Sequence, residues 1–169
     1  MGEIIRFAWG ISSLGDFVVA MSDKGIVALE FSSAHSAIED ALSIRFPDSD
    51  LERRQEELAD VMEIVAGVID NPAADCDLPL DLRGTPYEMK VWLMLREIPA
   101  GQTTTYGALA AKLGTRDPRD VTAAIANNSI AVIVPCHRVI KKDGSISGYR
   151  WGVKRKRMLL VREQQSTEH

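Results

Sequence analysis

The sequence is poor in cysteine, with only Cys76 and Cys136 among its 169 residues, and it has no long apolar run. Two cysteines in different contexts exclude a disulfide framework and the paired ligand spacing of a zinc site, so we expect no metal and no cofactor. Nothing resembles a secretory leader or a membrane-spanning run, which favours a reducing, cytoplasmic setting without a membrane partner. Because 46% of the residues are apolar, we expect a globular protein of one domain or two small subdomains.

Charge is distributed unevenly along the chain. Residues 1–83 carry 6 Lys and Arg against 17 Asp and Glu, a net charge of −11, whereas residues 84–169 carry 14 against 7, a net charge of +7. A basic second half indicates contact with a polyanion, while the acidic first half faces solvent. The alternative is an uneven spread of solvated surface charge.

The most informative stretch is the apolar run 130–134, which is followed by Pro135, Cys136, His137 and Arg138. A β-branched run of this length predicts a buried strand, and Pro135 ends it because proline lacks a backbone N–H. Cys136 should therefore lie at the edge of the core. A free thiol has a pKa of about 8.5, and the neighbouring base and cation can activate it. The alternative is a cysteine that serves only as a small buried hydrophobe.

The first half predicts a small β meander followed by helices. The strands are expected at 4–9, 16–22 and 25–31, and the helices at about 33–46 and 56–70. A further strand at 78–82 is confined to an edge or a strand start by Pro79. Nothing in this half suggests chemistry, and His35 and Cys76 are expected to have structural or incidental roles.

The second half opens with a strong helix-start signal. Thr85 can cap a helix, Pro86 suits its first position, and Glu88 completes a capping box. Farther along, a hairpin turn is predicted at 142–144 and a final helix at about 153–163. This last helix carries the basic run 154–157, which either contacts phosphates or forms a solvated face.

Two helices are predicted between these elements, at 106–113 and at about 118–127. The short link around Gly114 makes them a helix-turn-helix. Arg119 lies at the N-terminal end of the second helix, where recognition helices place their groove-facing residues. Many helix pairs never touch DNA, but the basic charge of this half favours a DNA-binding role.

Together these residues resemble the O6-alkylguanine-DNA alkyltransferases, repair proteins that move an alkyl group from guanine to their own cysteine. The resemblance covers almost the whole chain and is most specific from about Leu80 onward. It is closest to the alkyltransferase domain of bacterial Ada and to stand-alone Ogt-type proteins, although the metal-binding cysteine cluster of Ada's other domain is missing. The matching features are Pro135 to Val139, Asn128, Tyr106 with Leu109 and Ala110, the loop from Ser147 to Gly152, and Leu159 and Leu160 ahead of Glu163.

The resemblance implies an α/β (α+β) fold. A structural, RNase H-like α/β roll is expected over 1–83, followed over 84–169 by a winged helix-turn-helix that binds DNA and carries the active-site cysteine. It also implies direct-reversal repair of double-stranded DNA containing O6-alkylguanine, with O4-alkylthymine left open. The base is flipped out, Cys136 takes the alkyl group irreversibly, and each molecule acts once. The expected protein is a monomer of the bacterial cytoplasm.

The resemblance also implies a role for each matching residue. Cys136 is the nucleophile, His137 its base through a water, and Glu163 the carboxylate that orients the imidazole. Tyr106 supplies a hydrogen bond or proton to the purine, and Asn128 ties the recognition helix to the Cys136 segment. The guanine pocket is expected to be lined by Val139, Ser147, Gly148 and Tyr149, and DNA to be contacted by Arg119, Arg138, Arg116 and Thr122.

Two departures from the family pattern concern DNA binding. Asp120 follows Arg119 at a position that is commonly small, and it brings an acid toward the phosphates. The link from Tyr106 to Arg119 is one residue shorter than usual, so Arg116 competes for the role of intercalating finger. Thr122 also replaces a residue that is often smaller. We therefore expect weaker DNA binding than in a typical member.

Three other functions remain open on the sequence alone. A non-catalytic lesion binder of the alkyltransferase-like type needs no nucleophile, so Cys136 argues against it. A cysteine hydrolase using Cys136 and His137 leaves the helix-turn-helix without a purpose. A sequence-specific regulator needs a dimer and base-specific contacts, and neither is visible in the sequence.

Overall fold

The computed structural model describes residues 2–115, 117–146 and 148–167, with side chains as far as residue 165. No helix within these ranges is both long and apolar enough to cross a membrane. In chain order the elements are β1 (Ile4–Ser12), β2 (Gly15–Ser22), β3 (Gly25–Phe31), α1 (His35–Arg45), β4 (Asp50–Arg53), α2 (Ala59–Asp70), α3 (Pro86–Arg96), β5 (Thr104–Thr105), α4 (Tyr106–Leu113), α5 (Pro118–Ala126), the single 3-10 turn Cys136–Arg138, β6 (Val139–Ile140) and α6 (Val153–Thr167).

The first half is built on a four-stranded sheet in the order β3-β2-β1-β4. The first three strands form the predicted antiparallel meander, and β4 pairs in parallel with β1. The sequence pattern does not predict β4, because three of its four residues are charged and such residues are poor strand formers. The meander is confirmed, and its edge strand β3 faces the second half of the chain.

Both faces of the sheet are buried. On one face, Leu42 of α1 and the nearby Phe46 form an apolar cluster with residues of β1 and β2 such as Phe7 and Val18. On the other face, β2, β3 and α2 share one continuous cluster with α3, α4, α5 and the segment around Cys136. The second half is therefore held to the sheet by a common core.

The strand predicted at 78–82 shrinks to an isolated bridge between Ile26 and Leu80. The Ile26 N–H donates to the carbonyl oxygen of Pro79 at 2.9 Å, and the Asp81 N–H donates to the carbonyl oxygen of Ile26 at 2.8 Å. Because Pro79 has no N–H to extend a ladder, this segment touches the sheet without joining it.

The prediction of a strand at 130–134 is wrong, although the prediction that this segment is buried is confirmed. Only Ile130 bridges to β3, through Leu29, and the chain then turns, with Val132 at a φ of 66°. A β-branched residue rarely adopts this left-handed conformation. The reason lies in Asn128, whose amide group bonds the N–H and carbonyl of Ile130 and the carbonyl of Val134, at 2.9, 3.2 and 3.1 Å, and so holds a compact turn.

The helix-start signals are confirmed in the second half. Thr85 Oγ1 accepts a hydrogen bond from the Glu88 N–H at 3.1 Å, and Glu88 Oε1 accepts one from the Thr85 N–H at 2.9 Å, which completes the capping box. Between α4 and α5, Gly114 adopts a left-handed φ of 69° and Asp117 caps α5. The fold is thus the predicted mixed α/β arrangement, with a sheet-based first half and a helix-turn-helix in the second.

Candidate active site

Cys136 begins the 3-10 turn at the end of the buried segment and is only 5% exposed. Its Sγ accepts a hydrogen bond from Asn128 Nδ2 at 3.3 Å, so the residue that shapes the turn also holds the sulfur. Burial raises the pKa of Cys136 to about 11, although the Asn128 hydrogen bond and the charges of Lys156 and Arg150 oppose this rise. The free protein therefore carries a thiol at neutral pH, and a base must remove its proton.

His137 is fully buried, with Nε2 at 3.1 Å from Glu163 Oε2. Burial lowers the pKa of His137 even though the Glu163 carboxylate opposes this change, so the imidazole is neutral at pH 7. When Nε2–H donates to the carboxylate, Nδ1 is left as an acceptor. Within the described residues Nδ1 has no hydrogen-bond partner. A neutral imidazole with an open acceptor nitrogen is the state that a general base requires.

The structure does not support the DNA contact predicted for Arg138, which is only 8% exposed. The side chain points inward: Nε lies 2.8 Å from Glu163 Oε2, and the other guanidinium nitrogens donate to the carbonyls of Ile98 and Pro72. The physical reason is that a buried carboxylate needs a cationic partner. Burial acts to raise the pKa of Glu163, but hydrogen bonds from His137 and Arg138 outweigh it and hold this pKa below its ordinary value.

A pocket of about 200 Å³ reaches Cys136 from the surface. Tyr106 at the start of α4 is half-buried, and burial raises its pKa, so the phenol keeps its proton and can donate it. Tyr149 is partly buried, and its hydroxyl, which is itself buried, has no hydrogen-bond partner among the described residues. Both phenols are therefore available to a small ligand. The lining consists of Tyr106, Thr122, Ile125, Ala126, Cys136, Gly148, Tyr149 and Arg150.

Val139 is not among the residues that line this pocket, so the pocket does not support its predicted contact with guanine. The residue lies in β6, pairs with Thr104 of β5 and is fully buried in the core. Ser147 and Arg116 fall outside the described residues. Asn128 follows Asn127, the C-cap of α5, so its amide group connects the helix-turn-helix to the thiol.

The surface of α5 that is predicted to contact DNA is open to solvent. Arg119 is 90% exposed at its side chain, and its Nη2 lies 2.8 Å from Asp117 Oδ2. Thr122, also exposed, donates from Oγ1 to the carbonyl of Pro118 at 3.1 Å. Asp120 is exposed in the first turn of the same helix, beside Arg119.

Lys156 is a site residue that sequence reasoning missed. Its place in the basic run 154–157 suggested a solvated or phosphate-binding face, yet it is fully buried, with Nζ 3.4 Å from the carbonyl of Gly148. Its charge favours the Cys136 thiolate. The signal was the helical period: Lys156, Leu159 and Glu163 lie three and four residues apart and share the buried face of α6.

Comparison with known proteins gives a consistent set of relatives. A family model described as "6-O-methylguanine DNA methyltransferase, DNA binding domain" matches residues 86–165. The chain is 39% identical over 171 residues to the bifunctional transcriptional activator/DNA repair enzyme Ada of Escherichia coli, covering 97% of this chain and 47% of Ada. It is 38% identical over 156 residues to a methylated-DNA–protein-cysteine methyltransferase of Salmonella typhimurium, covering 87% of this chain and 88% of that protein. The chain thus spans about half the length of its Ada relatives.

Solved structures show the same fold. The crystal structure of Mycobacterium tuberculosis OGT in complex with DNA superposes with a TM-score of 0.77 at 29% identity, covering 95% of this chain and 93% of that one. The O6-methylguanine-DNA methyltransferase of the archaeon Pyrococcus kodakaraensis gives a TM-score of 0.70 at 26% identity, covering 94% of this chain and 98% of that one.

Proposed function

Because the chain belongs to the family of methylated-DNA–protein-cysteine methyltransferases, we propose that it repairs DNA by moving the alkyl group of O6-alkylguanine onto the thiol of Cys136. One observation carries this proposal: a buried cysteine lines a small pocket and is followed directly by a neutral histidine that is paired with a carboxylate. A nucleophile, a base and an orienting group form the set that activates a weak nucleophile at neutral pH.

Activation begins with proton removal from the thiol. A water between Cys136 Sγ and His137 Nδ1 carries the proton to the imidazole, and Glu163 stabilises the imidazolium that forms. Arg138 keeps that carboxylate ionised and in place, while Lys156 stabilises the developing thiolate. Two buried cations thus support the two negative charges that the reaction uses.

The thiolate then attacks the alkyl carbon. A sulfur–carbon bond forms while the carbon–oxygen bond to guanine breaks, and the electron pair of that bond stays with the guanine. The departing purine needs a proton or hydrogen bond, and Tyr106 is the protonated donor on the pocket wall. The product is a thioether at Cys136. No step returns it to a thiol, so each molecule acts once and uses no cofactor.

Access to the pocket requires the damaged base to leave the duplex, at a cost of a few kcal/mol. In this proposal the helix-turn-helix binds the DNA, and the side chain of Arg119 fills the space that the flipped base leaves in the stack. The guanidinium is free to move because its side chain is almost fully exposed, but it must first leave Asp117. In this proposal residues 84–169 bind DNA and carry the chemistry, residues 1–83 support them, and a monomer in the bacterial cytoplasm suffices.

The test uses duplex DNA with a single O6-methylguanine, followed by mass spectrometry of the protein digest. We expect one methyl group on the peptide containing Cys136 and none on the peptide containing Cys76. Cys136→Ala should accept no methyl, whereas Cys76→Ala, the matched control, should accept it as the wild type does. Lesion binding without transfer, or methylation of the Cys136→Ala protein, contradicts the proposal.

A further inference from the structure

The edge strand β3 touches the site, although the first half holds none of the proposed catalytic groups. The Leu29 N–H donates to the carbonyl of Ser129 at 2.8 Å, and the Ala131 N–H donates to the carbonyl of Leu29 at 2.9 Å. Residues 129–131 therefore cover a strand edge that otherwise presents unpaired backbone groups. The segment that leads to Cys136 is fixed directly to the first-half sheet.

Glu30, the next residue of β3, is a carboxylate only 5% exposed. Its Oε1 lies 2.9 Å from Nη2 of Arg150. A buried carboxylate persists only with a close cationic partner, because the cost of removing it from water is large. Glu30 is also the only charged residue in the strand Gly25–Phe31. Its partner lies more than a hundred residues away, in the loop 148–152, which lines the pocket with Gly148, Tyr149 and Arg150 and is called the pocket loop below.

Arg150 connects three parts of the site. Besides Glu30, it binds the carbonyl oxygen of Asn128 through Nη1 at 2.8 Å. Its guanidinium carbon lies 5.4 Å from the centre of the Trp151 ring, and the side chain itself lines the pocket that reaches Cys136. One guanidinium thus joins β3, the end of the helix-turn-helix and the loop that forms the pocket wall.

We infer that Glu30 and Arg150 act as a positioning pair for the transfer step. Glu30 holds Arg150, and Arg150 fixes the pocket loop together with Asn128, whose amide group in turn binds the Cys136 thiol. The inference rests on the proposed function, and it gives the acidic first half a part in the reaction. Neither residue of the pair needs to touch the reacting atoms for this effect.

The experiment compares Glu30→Ala with Glu30→Gln, which keeps an acceptor oxygen for Arg150. The matched control is Glu52→Ala, which removes an exposed carboxylate paired with Arg54 on the same sheet. For each variant, DNA affinity and the single-turnover rate of methyl transfer are measured separately. Because small displacements of reacting groups are costly, we expect Glu30→Ala to slow transfer by about tenfold to a hundredfold with unchanged DNA affinity. Glu30→Gln should recover most of the rate, and Glu52→Ala should match the wild type.

Hydrogen exchange on the DNA-free protein gives a readout that needs no alkyl transfer. The amide of Gly152, which donates to the carbonyl oxygen of Tyr149 at 3.0 Å, should exchange faster in Glu30→Ala than in the wild type. If the wild type transfers no methyl, the proposed function fails, and the exchange measurement then decides only whether Glu30 holds the loop in place. The inference is overturned if Glu30→Ala transfers methyl and exchanges the Gly152 amide at the wild-type rates. It is also overturned if Glu30→Ala loses DNA affinity but keeps the wild-type transfer rate. Should Glu30→Ala not fold, Glu30→Gln with Arg150→Met removes the pair without leaving a buried unpaired charge. Because the charge of Arg150 also favours the Cys136 thiolate, the hydrogen-exchange measurement decides the outcome for this variant.

Discussion

Replacing Glu163 with Gln tests whether the carboxylate sets the protonation state of His137. Glu163 accepts hydrogen bonds from His137 Nε2 at 3.1 Å and from the guanidinium of Arg138, whose Nε lies 2.8 Å from Oε2. A glutamine offers only one acceptor oxygen. Because Arg138 can only donate, the amide oxygen should turn to Arg138 and the amide N–H₂ to His137. The imidazole must then carry its proton on Nδ1, which leaves no acceptor facing the thiol.

The size of the expected rate loss follows from the loss of His137 as the general base. In hydrolases, the same carboxylate-to-amide change produces the wrong tautomer and costs about 10⁴-fold in rate. We therefore expect single-turnover methyl transfer by Glu163→Gln to fall by about 10³-fold to 10⁴-fold at pH 7, with DNA affinity unchanged. Breaking a buried ion pair from one side also costs about 3–5 kcal/mol, so urea unfolding should show a less stable variant.

The assay follows transfer of a labelled methyl group under single-turnover conditions, with folding checked by circular dichroism. Glu97→Gln, an exposed change of the same chemistry, serves as the control and should behave as the wild type. A folded Glu163→Gln protein that transfers methyl within about tenfold of the wild-type rate refutes the assignment of His137 as a base oriented by Glu163.

Three further predictions concern ionisation and DNA contact. Since burial raises the pKa of Cys136 to about 11, its alkylation by iodoacetamide without DNA should accelerate steadily from pH 7 to pH 10, and a plateau reached below pH 8 would contradict this. Burial lowers the pKa of His137, so as the pH falls the unfolded chain takes up a proton at this residue before the folded protein does. The free energy of unfolding measured in urea should therefore be highest above the unfolded pKa of about 6.5 and should decrease below it. His137→Gln should make this decrease smaller. Asp120→Ala removes an exposed acid beside Arg119 and should tighten DNA binding in a titration, with a smaller gain at high salt; an unchanged affinity would show that Asp120 does not weaken the contact.

Features encoded by neighbouring residues were predictable from the sequence. The capping box of Thr85 and Glu88 depends on residues three apart, and the structure shows it as expected. Gly114 ends α4 because a glycine, which has no Cβ, adopts the left-handed conformation at this position without strain. The pairing of Cys136 with a neighbouring histidine was likewise visible in the sequence, although the chemical role of each site residue remains a prediction.

Features that depend on distant partners were not predictable. The run 130–134 has the apolar pattern of a strand, but the amide group of Asn128 satisfies its backbone groups and turns it. Arg138 carries a charge that usually faces solvent, and only the fold shows that it is buried beside Glu163. Arg138 bonds to Glu163, 25 residues along the chain, and no local pattern predicts that pairing. His35 also has partners in the structure, stacking on Trp9 with ring centres 3.7 Å apart.

The central claim is that the protein itself is the final acceptor of the alkyl group. The most direct measurement is a stoichiometric titration, in which excess DNA carrying a labelled O6-methyl group is incubated with a known amount of protein. We predict that the label on protein rises to one methyl per chain and then stops, with an equal amount of guanine restored in the DNA. Release of the label into solution, or repair of more lesions than there are protein molecules, would contradict the account.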